Sequence, residues 1–225
     1  MTDWATVASL ATAVATLVLA GATFSAVRSS NRSARIAEQA LLAGQRPLVL
    51  PSRLDDPPVK VGWVDGHDVK LQGGQAHAVV EDGNVYLAMS IRNSGSGVAV
   101  LQGWLPRLEE LPQAIVAFPQ VDQFRRQTRD IYVGAGDVGF WQGALREEDE
   151  TKVFIKRMVE RRQRFSVDLL YSDLEGGQRA MTRVSWMPGG DQVRWLGTTS
   201  RHANVDHNDP REPPEIPPGL DLPET

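Results

Sequence analysis

The chain has 225 residues, a formal net charge of −4 at pH 7 and no cysteine, with 41% hydrophobic and 23% charged residues. Without cysteine there is neither thiol catalysis nor a disulfide framework, and the lack also fits a reducing compartment. The acidic balance and the absence of a recognised motif argue against nucleic acid as a partner.

The first element is the most informative. From Trp4 to Val27 the chain runs 24 residues without a charge, preceded by Asp3 and followed by Arg28, Arg32 and Arg35. As a helix this run is roughly 36 Å long, enough to cross a ~30 Å hydrocarbon core with some tilt. A cleaved signal peptide is the first rival. It would carry a basic start and a shorter apolar core, and here no Lys or Arg precedes the run. The small residues Ala20, Ala22, Ser25 and Ala26 keep that alternative open as a cleavage-site mimic. A core helix of a soluble domain is the second rival, and it would show a polar stripe. The polar groups are instead the hydroxyls of Thr6, Ser9, Thr12, Thr16, Thr23 and Ser25, which can bond back to their own helix and tolerate lipid. The preferred reading is a transmembrane helix contacting the bilayer through residues 4–27, within a segment 1–27. Positive flanks stay in the cytoplasm. Arg28, Arg32, Arg35 and Arg46 therefore place the N-terminus outside and the remainder on the cytoplasmic side of the inner (plasma) membrane. Ala5, Ser9 and Ala13, and likewise Thr12, Thr16 and Ala20, recur at four-residue spacing, which lets helices approach closely. Self-association or pairing through the span is one expectation; chance in an Ala/Thr-rich run is the other.

Residues 28–45 keep helical composition as a stalk, with Gly44 and Pro47 as stop signals. From Arg46 short β-rich stretches recur between Gly, Pro, Asn and Asp clusters: 47–51, 59–63, 67–72, 76–80, 84–93, 97–104, 130–134, 164–172, 178–187 and 192–196. In Val85–Ile91 apolar and smaller residues alternate, which predicts a strand with Leu87 and Met89 inward and Ser90 outward. By the same alternation Asp168, between Val167 and Leu169, is expected to be exposed. Glycine-rich turns predict hairpins at 91–98 and 171–178. The expected fold is mainly β: an antiparallel, Ig-like β-sandwich over 46–202 with one inserted helix, long enough to own a core. That helix is read over Thr151–Gln163, with Phe154, Ile155, Met158 and Val159 on its apolar face. Acids lead into it and basic residues end it, which suits the helix dipole. The segment 203–225 holds six prolines, six acids and one arginine and is expected to be disordered.

The order of these features resembles a group of uncharacterised bacterial one-pass membrane proteins, common in actinobacteria. The likeness rests on the Ala-rich span, the basic stalk, the Arg46-Pro47 entry, the turn Arg92-Asn93-Ser94-Gly95-Ser96-Gly97-Val98-Ala99, and the late Tyr171, Asp173, Gly176 hairpin. It covers about residues 1–195. These motifs are turn chemistry, and the resemblance brings no activity and no site.

Few residues suggest chemistry. Gly134-Ala135-Gly136-Asp137-Val138-Gly139 is a literal G-x-G-x-x-G, but strand-like Phe140-Trp141-Gln142 follows where a dinucleotide site needs a helix N-terminus. A tight turn between strands is the preferred reading. Lys152, Lys156, Arg157, Arg161, Arg162 and Arg164 form a candidate basic patch for the membrane surface, against a solvated helix face as the alternative. His202, Asp206 and His207 lie close in sequence, but in the expected tail they lack the ordered surroundings a metal site needs. His67 and His77 belong to no recognisable pattern. Trp63, Trp104, Trp141, Trp186 and Trp195 read as packing residues and Trp4 as an interface anchor. No catalytic, cofactor-binding or metal-binding residue is assigned. The expected function is a non-enzymatic, membrane-anchored binding or scaffold module, taking a protein partner or a second copy through the span or a sheet edge. An accessory subunit of a larger membrane complex is the alternative. A nucleotide-binding enzyme using Gly134–Gly139 comes third.

Overall fold

A computed structural model describes residues 3–108, 119–190 and 194–206, in two compact units divided after Gly44. The first unit is one uninterrupted α-helix, α1 (Trp4–Gly44), of 41 residues. It is long and apolar enough to cross a membrane. The hydroxyls of Thr12, Thr16 and Thr23 donate to the carbonyls of Ala8, Thr12 and Leu19 at 2.8–2.9 Å, so the helix satisfies its own polar side chains.

The second unit is mainly β and wholly antiparallel. One sheet holds β4 (Gln75–Glu81), β5 (Asn84–Asn93) and β9 (Val138–Leu145), with the short β1 (Val49–Pro51) on the end of β5. The facing sheet runs β12 (Trp195–Asn204), β11 (Arg179–Pro188), β10 (Phe165–Ser172), β6 (Ala99–Pro106), with β7 (Arg125–Arg126) and β8 (Tyr132–Val133) on β6. The sheets join at one corner, where Trp195 and Leu196 of β12 pair with Ala76 and Gln75 of β4. A separate ribbon, β2 (Val59–Gly62) with β3 (Asp68–Leu71), completes the strands. The sandwich expected from sequence is therefore the fold observed.

Alternation along β5 sends Val85, Leu87, Met89 and Ile91 into the main core with Trp141, Val167, Val184 and Trp186. Tyr86 and Ala88 face the other way and are also buried, in a second cluster with Val61, Trp63 and Leu71 of the ribbon and its flank. Ser90 does face away from the main core, but it is not at the surface. It is fully buried, and Ser52 Oγ donates to its hydroxyl at 2.7 Å. Burial of this outer face defeats the exposed position expected for Ser90. Asp168 departs from expectation in the same way. It is 0% exposed, and both its oxygens accept from Arg183, at 2.6 and 2.9 Å, with Arg107 Nε at 3.9 Å from Oδ2. A carboxylate is retained there because a guanidinium fork meets it from the neighbouring strand.

The hairpin expected at 171–178 is present: Asp173 Oδ1 accepts from the amides of Gly177 and Gln178, and Gly176 takes φ +76°. The segment 91–98 is not a hairpin. β5 and β6 do not pair, and the turn carries the chain from one sheet to the other. Asn93 makes that crossing possible, accepting from Leu48 N and Gly95 N and donating to the carbonyls of Gly97 and Val133. Gly97 is required because a Cβ would lie 1.8 Å from the Gln45 carbonyl oxygen.

The helix α2 (Glu150–Glu160) begins at Asp149, whose carboxylate accepts from Lys152 N, and packs on β4 and β5. It stops three residues short of the expected end. Arg162 turns left-handed at φ +53°, and Gln163 N and Arg162 N bond back to Met158 O and Val159 O. The sandwich itself runs on past residue 202. β12 reaches Asn204, Ala203 is buried, and Asp206 accepts from Arg179, so the domain ends later than expected. The remainder of the expected disordered tail, 207–225, lies outside the described residues.

Candidate functional site

Strand β9 pairs only with β5 among the described strands, and its other edge passes beside β7 and the segment that follows. Between them lies a cleft of about 260 Å³, lined by Trp63, Trp104, Arg126, Gln127, Arg129, Gln142, Gly143 and Arg146. Trp63 follows β2 in a tight turn, with Trp63 N bonded to His67 O at 2.8 Å. Its indole Nε1 donates to Gly143 O at 3.2 Å, which pins the ring on β9. Trp104 stands on β6, edge-on to Trp141 at 5.4 Å. Gly143 lets these rings close in, since an added Cβ would lie 2.9 Å from Trp141 and 3.0 Å from Trp104. Gln127 Nε2 donates to Gln142 O at 3.3 Å and to Arg129 O at 3.0 Å. Side chains thus cap the β9 edge at the cleft, and an incoming strand would have to displace them. Any contact made at this edge would run through side chains rather than through an added strand.

The charges around the cleft differ in what holds them. Arg146 donates to Asp65 Oδ2 at 2.8 Å, and the Tyr86 hydroxyl donates to the same oxygen at 2.6 Å. The Tyr86 bond and the Arg146 guanidinium hold the Asp65 carboxyl down at about 2, and that carboxylate pushes the Tyr86 hydroxyl up. Arg125 lies over the Trp104 ring at 5.7 Å and pairs with Asp149. Arg126 and Arg129 are exposed and carry no side-chain hydrogen bond or ion pair among the described residues. Gln142 is buried, with Nε2 donating to Asp130 Oδ2 at 3.0 Å, while its Oε1 has no partner among the described residues. The small uncovered parts of two largely buried indoles, beside uncommitted guanidiniums, suit a ligand that brings carboxylates and a compact apolar surface.

The residues singled out by sequence are placed elsewhere. In the Gly134–Gly139 loop, Asp137 N bonds to Gly134 O and Gly136 takes φ +74°. Gly136 N then bonds to Asn93 O, and β9 follows directly. The loop is a turn between strands that buttresses the inter-sheet crossing. The basic patch is not one surface. Lys152 is buried, its ammonium donating to Arg146 O at 3.1 Å and pairing with Glu148, because its stem packs under the helix start. Arg162 lies over Trp195 at 4.4 Å, and Arg164 donates to Ser185 Oγ at 3.1 Å. Lys156 sits 3.9 Å from Glu160, which leaves Arg157 and Arg161 as the exposed cations of the patch without a side-chain partner among the described residues.

The histidines fall into two settings. His67 stacks on Tyr86 with centroids 4.5 Å apart; its Nδ1 is 2.7 Å from Glu81 Oε2 and its Nε2 is 3.4 Å from His77 Nε2. Burial, with the neighbouring His67 adding to it, pushes His77 down to about 4. His202 belongs to β12, with Nδ1 3.2 Å from Thr182 Oγ1 and 3.3 Å from the Tyr171 hydroxyl, so it is part of the sandwich and not of a tail. His207 lies outside the described residues. No group of three or more His, Cys, Asp or Glu side chains is arranged to hold a metal ion among the described residues. All five tryptophans of the domain are buried, as packing residues should be, but Trp63 and Trp104 also face the cleft. Sequence reading missed Arg126 and Arg129, whose only signal is the basic run Arg125-Arg126-Gln127-Thr128-Arg129. No protein-family model, curated protein or solved structure matches the chain.

Proposed function

We propose that the protein is a single-pass membrane protein that presents its β-sandwich in the cytoplasm as a binding or scaffold module, with the Trp63–Trp104 cleft as the binding surface. The observation that carries this reading is the pair Arg126 and Arg129. They are exposed beside two indoles and carry no carboxylate among the described residues. A protein segment bearing Asp or Glu next to apolar residues supplies the complementary chemistry. The anchor is supported by the exposed apolar surface of α1, including Leu10, Val14, Leu17, Val18 and Phe24, and its orientation by the arginines that follow. The likeness to bacterial one-pass proteins belongs to the same proposal.

Two measurements test it. A reporter fused to the C-terminal end of the full chain should work only in its cytoplasmic form, and alkaline phosphatase activity there would refute the orientation. Co-purification of the full chain in mild detergent should recover a protein partner that is lost from an R126E/R129E variant. A partner retained by that variant in fixed proportion would shift the reading to an accessory subunit held through the span.

A further inference from the structure

We infer that the cleft is a docking site for the acidic, proline-rich segment 207–225 of this same chain, which competes there with an outside partner. The inference rests on the reading of the cleft as a binding surface. Within 207–225 the charges are Asp209, Glu212, Glu215, Asp221 and Glu224 against Arg211 alone, with six prolines among them. Proline favours an extended backbone that loses little entropy on docking, and proline rings pack on indole faces. The small uncovered parts of Trp63 and Trp104, 9% and 6% exposed, supply apolar contact, and Arg126 and Arg129 supply cations for the flanking carboxylates.

Two further facts select this occupant and this site. The segment leaves a fixed point, since Arg179 holds Asp206 through both its backbone amide and its guanidinium. Extended, its 19 residues reach roughly 60 Å, well beyond a domain whose radius of gyration is about 15 Å at this length. Arg157 and Arg161, exposed on α2, lack an aromatic wall. The concavity beside them carries Glu148 and Glu160, which oppose an acidic segment. The cleft sets two indoles beside two uncommitted guanidiniums, Arg126 and Arg129.

The test uses the full chain and a chain ending at Asp206, both in mild detergent, with a fluorescein-labelled synthetic peptide of residues 207–225 read by anisotropy. The shortened chain should bind the peptide, more weakly as salt rises. The full chain should bind at least fivefold more weakly, independently of its own concentration, because its own segment occupies the cleft. R126E/R129E in the shortened chain should weaken binding about tenfold, as should a peptide with its five acids replaced by amides; R126Q/R129Q serves if the reversed pair does not fold. Equal binding by the two chains, or binding indifferent to both arginines, would overturn the inference. Protection that grows with chain concentration would assign the contact to a second copy and overturn the intramolecular form. A Glu-Pro repeat peptide separates this inference from the reading beneath it. If that peptide binds through Arg126 and Arg129 while 207–225 does not, the cleft stands as a binding surface and the tail contact falls.

Discussion

The buried ion pair between Asp168 and Arg183 offers the sharpest test of how the second sheet is held. Asp168 is 0% exposed and Arg183 4% exposed, and the two meet through two hydrogen bonds of 2.6 and 2.9 Å across paired strands. Charges about 4 Å apart attract by about 4 kcal/mol at an effective dielectric of 20. Most of that gain offsets the cost of taking both ions out of water, so the pair as a whole contributes little net stability. Removing one member is another matter. Asp168→Ala leaves a guanidinium buried beside a cavity where its carboxylate stood, and should cost about 3–5 kcal/mol. At about 2 kcal/mol/M for a domain of this size, the urea midpoint should fall by roughly 2 M. The paired replacement D168L/R183M restores apolar packing without either charge and should recover most of the loss. Urea unfolding of the chain in detergent, followed by tryptophan fluorescence, measures all three variants. The reasoning fails if Asp168→Ala costs under ~1 kcal/mol, or if the double variant is as unstable as the single one.

Three further outcomes are expected. Because His77 is held at about 4 in the fold against 6.5 for an ordinary imidazole, the unfolded chain takes up that proton first. Its contribution is therefore complete above pH 6.5 and lost as pH falls toward 4, by up to about 3 kcal/mol; H77Q should flatten the stability profile in that window, and an unchanged profile would contradict the burial of the ring. Leu87→Ala should cost about 2–5 kcal/mol as a core truncation, whereas Ser90→Ala should cost about 1–2 kcal/mol because it strands the buried Ser52 hydroxyl; a neutral Ser90→Ala would show that the outer face of β5 is open to water. Gly97→Ala should destabilise by about 1–3 kcal/mol or more, since the Cβ would meet the Gln45 carbonyl and no side chain can move to admit it; an unchanged thermal melt would contradict the close crossing.

Period-two patterning made β5 and β10 legible, down to which residues face the main core. What patterning cannot show is whether the opposite face meets water. On β5 that face is covered by a ribbon whose own strands lie well upstream, so Ser90 looked exposed and is not. On β10 the same inference misplaced Asp168, whose partner Arg183 sits across a hairpin and shows nothing of its orientation in sequence. The turn at 91–98 had the glycines of a hairpin, yet those glycines serve a close crossing with residues 45–48, a contact between distant parts of the chain. The Asp82-Gly83 pair, by contrast, is a plain signal for the β4–β5 hairpin, with both residues at positive φ, and could have been read. The cleft was hidden for a different reason: its walls come from four separate stretches of chain, and only the pairing of β9 with β5 and of β7 with β6 brings them side by side.

The order in which the strands join the two sheets has a consequence for biosynthesis. The first sheet takes β1, β4 and β5, the second takes β6 to β8, the first then receives β9, and the second is finished by β10 to β12. Neither sheet is complete until the chain has passed through the other. Val85 waits for Leu145, and Ala76 waits for Trp195. A nascent chain leaving the ribosome therefore cannot bank a finished half. Everything between β4 and β12 stays open while the chain is made, and the sandwich cannot close before β12 is released. During that interval the half-built sheet edges are exposed, so chaperone demand should peak between synthesis of β5 and of β12 and drop sharply after it.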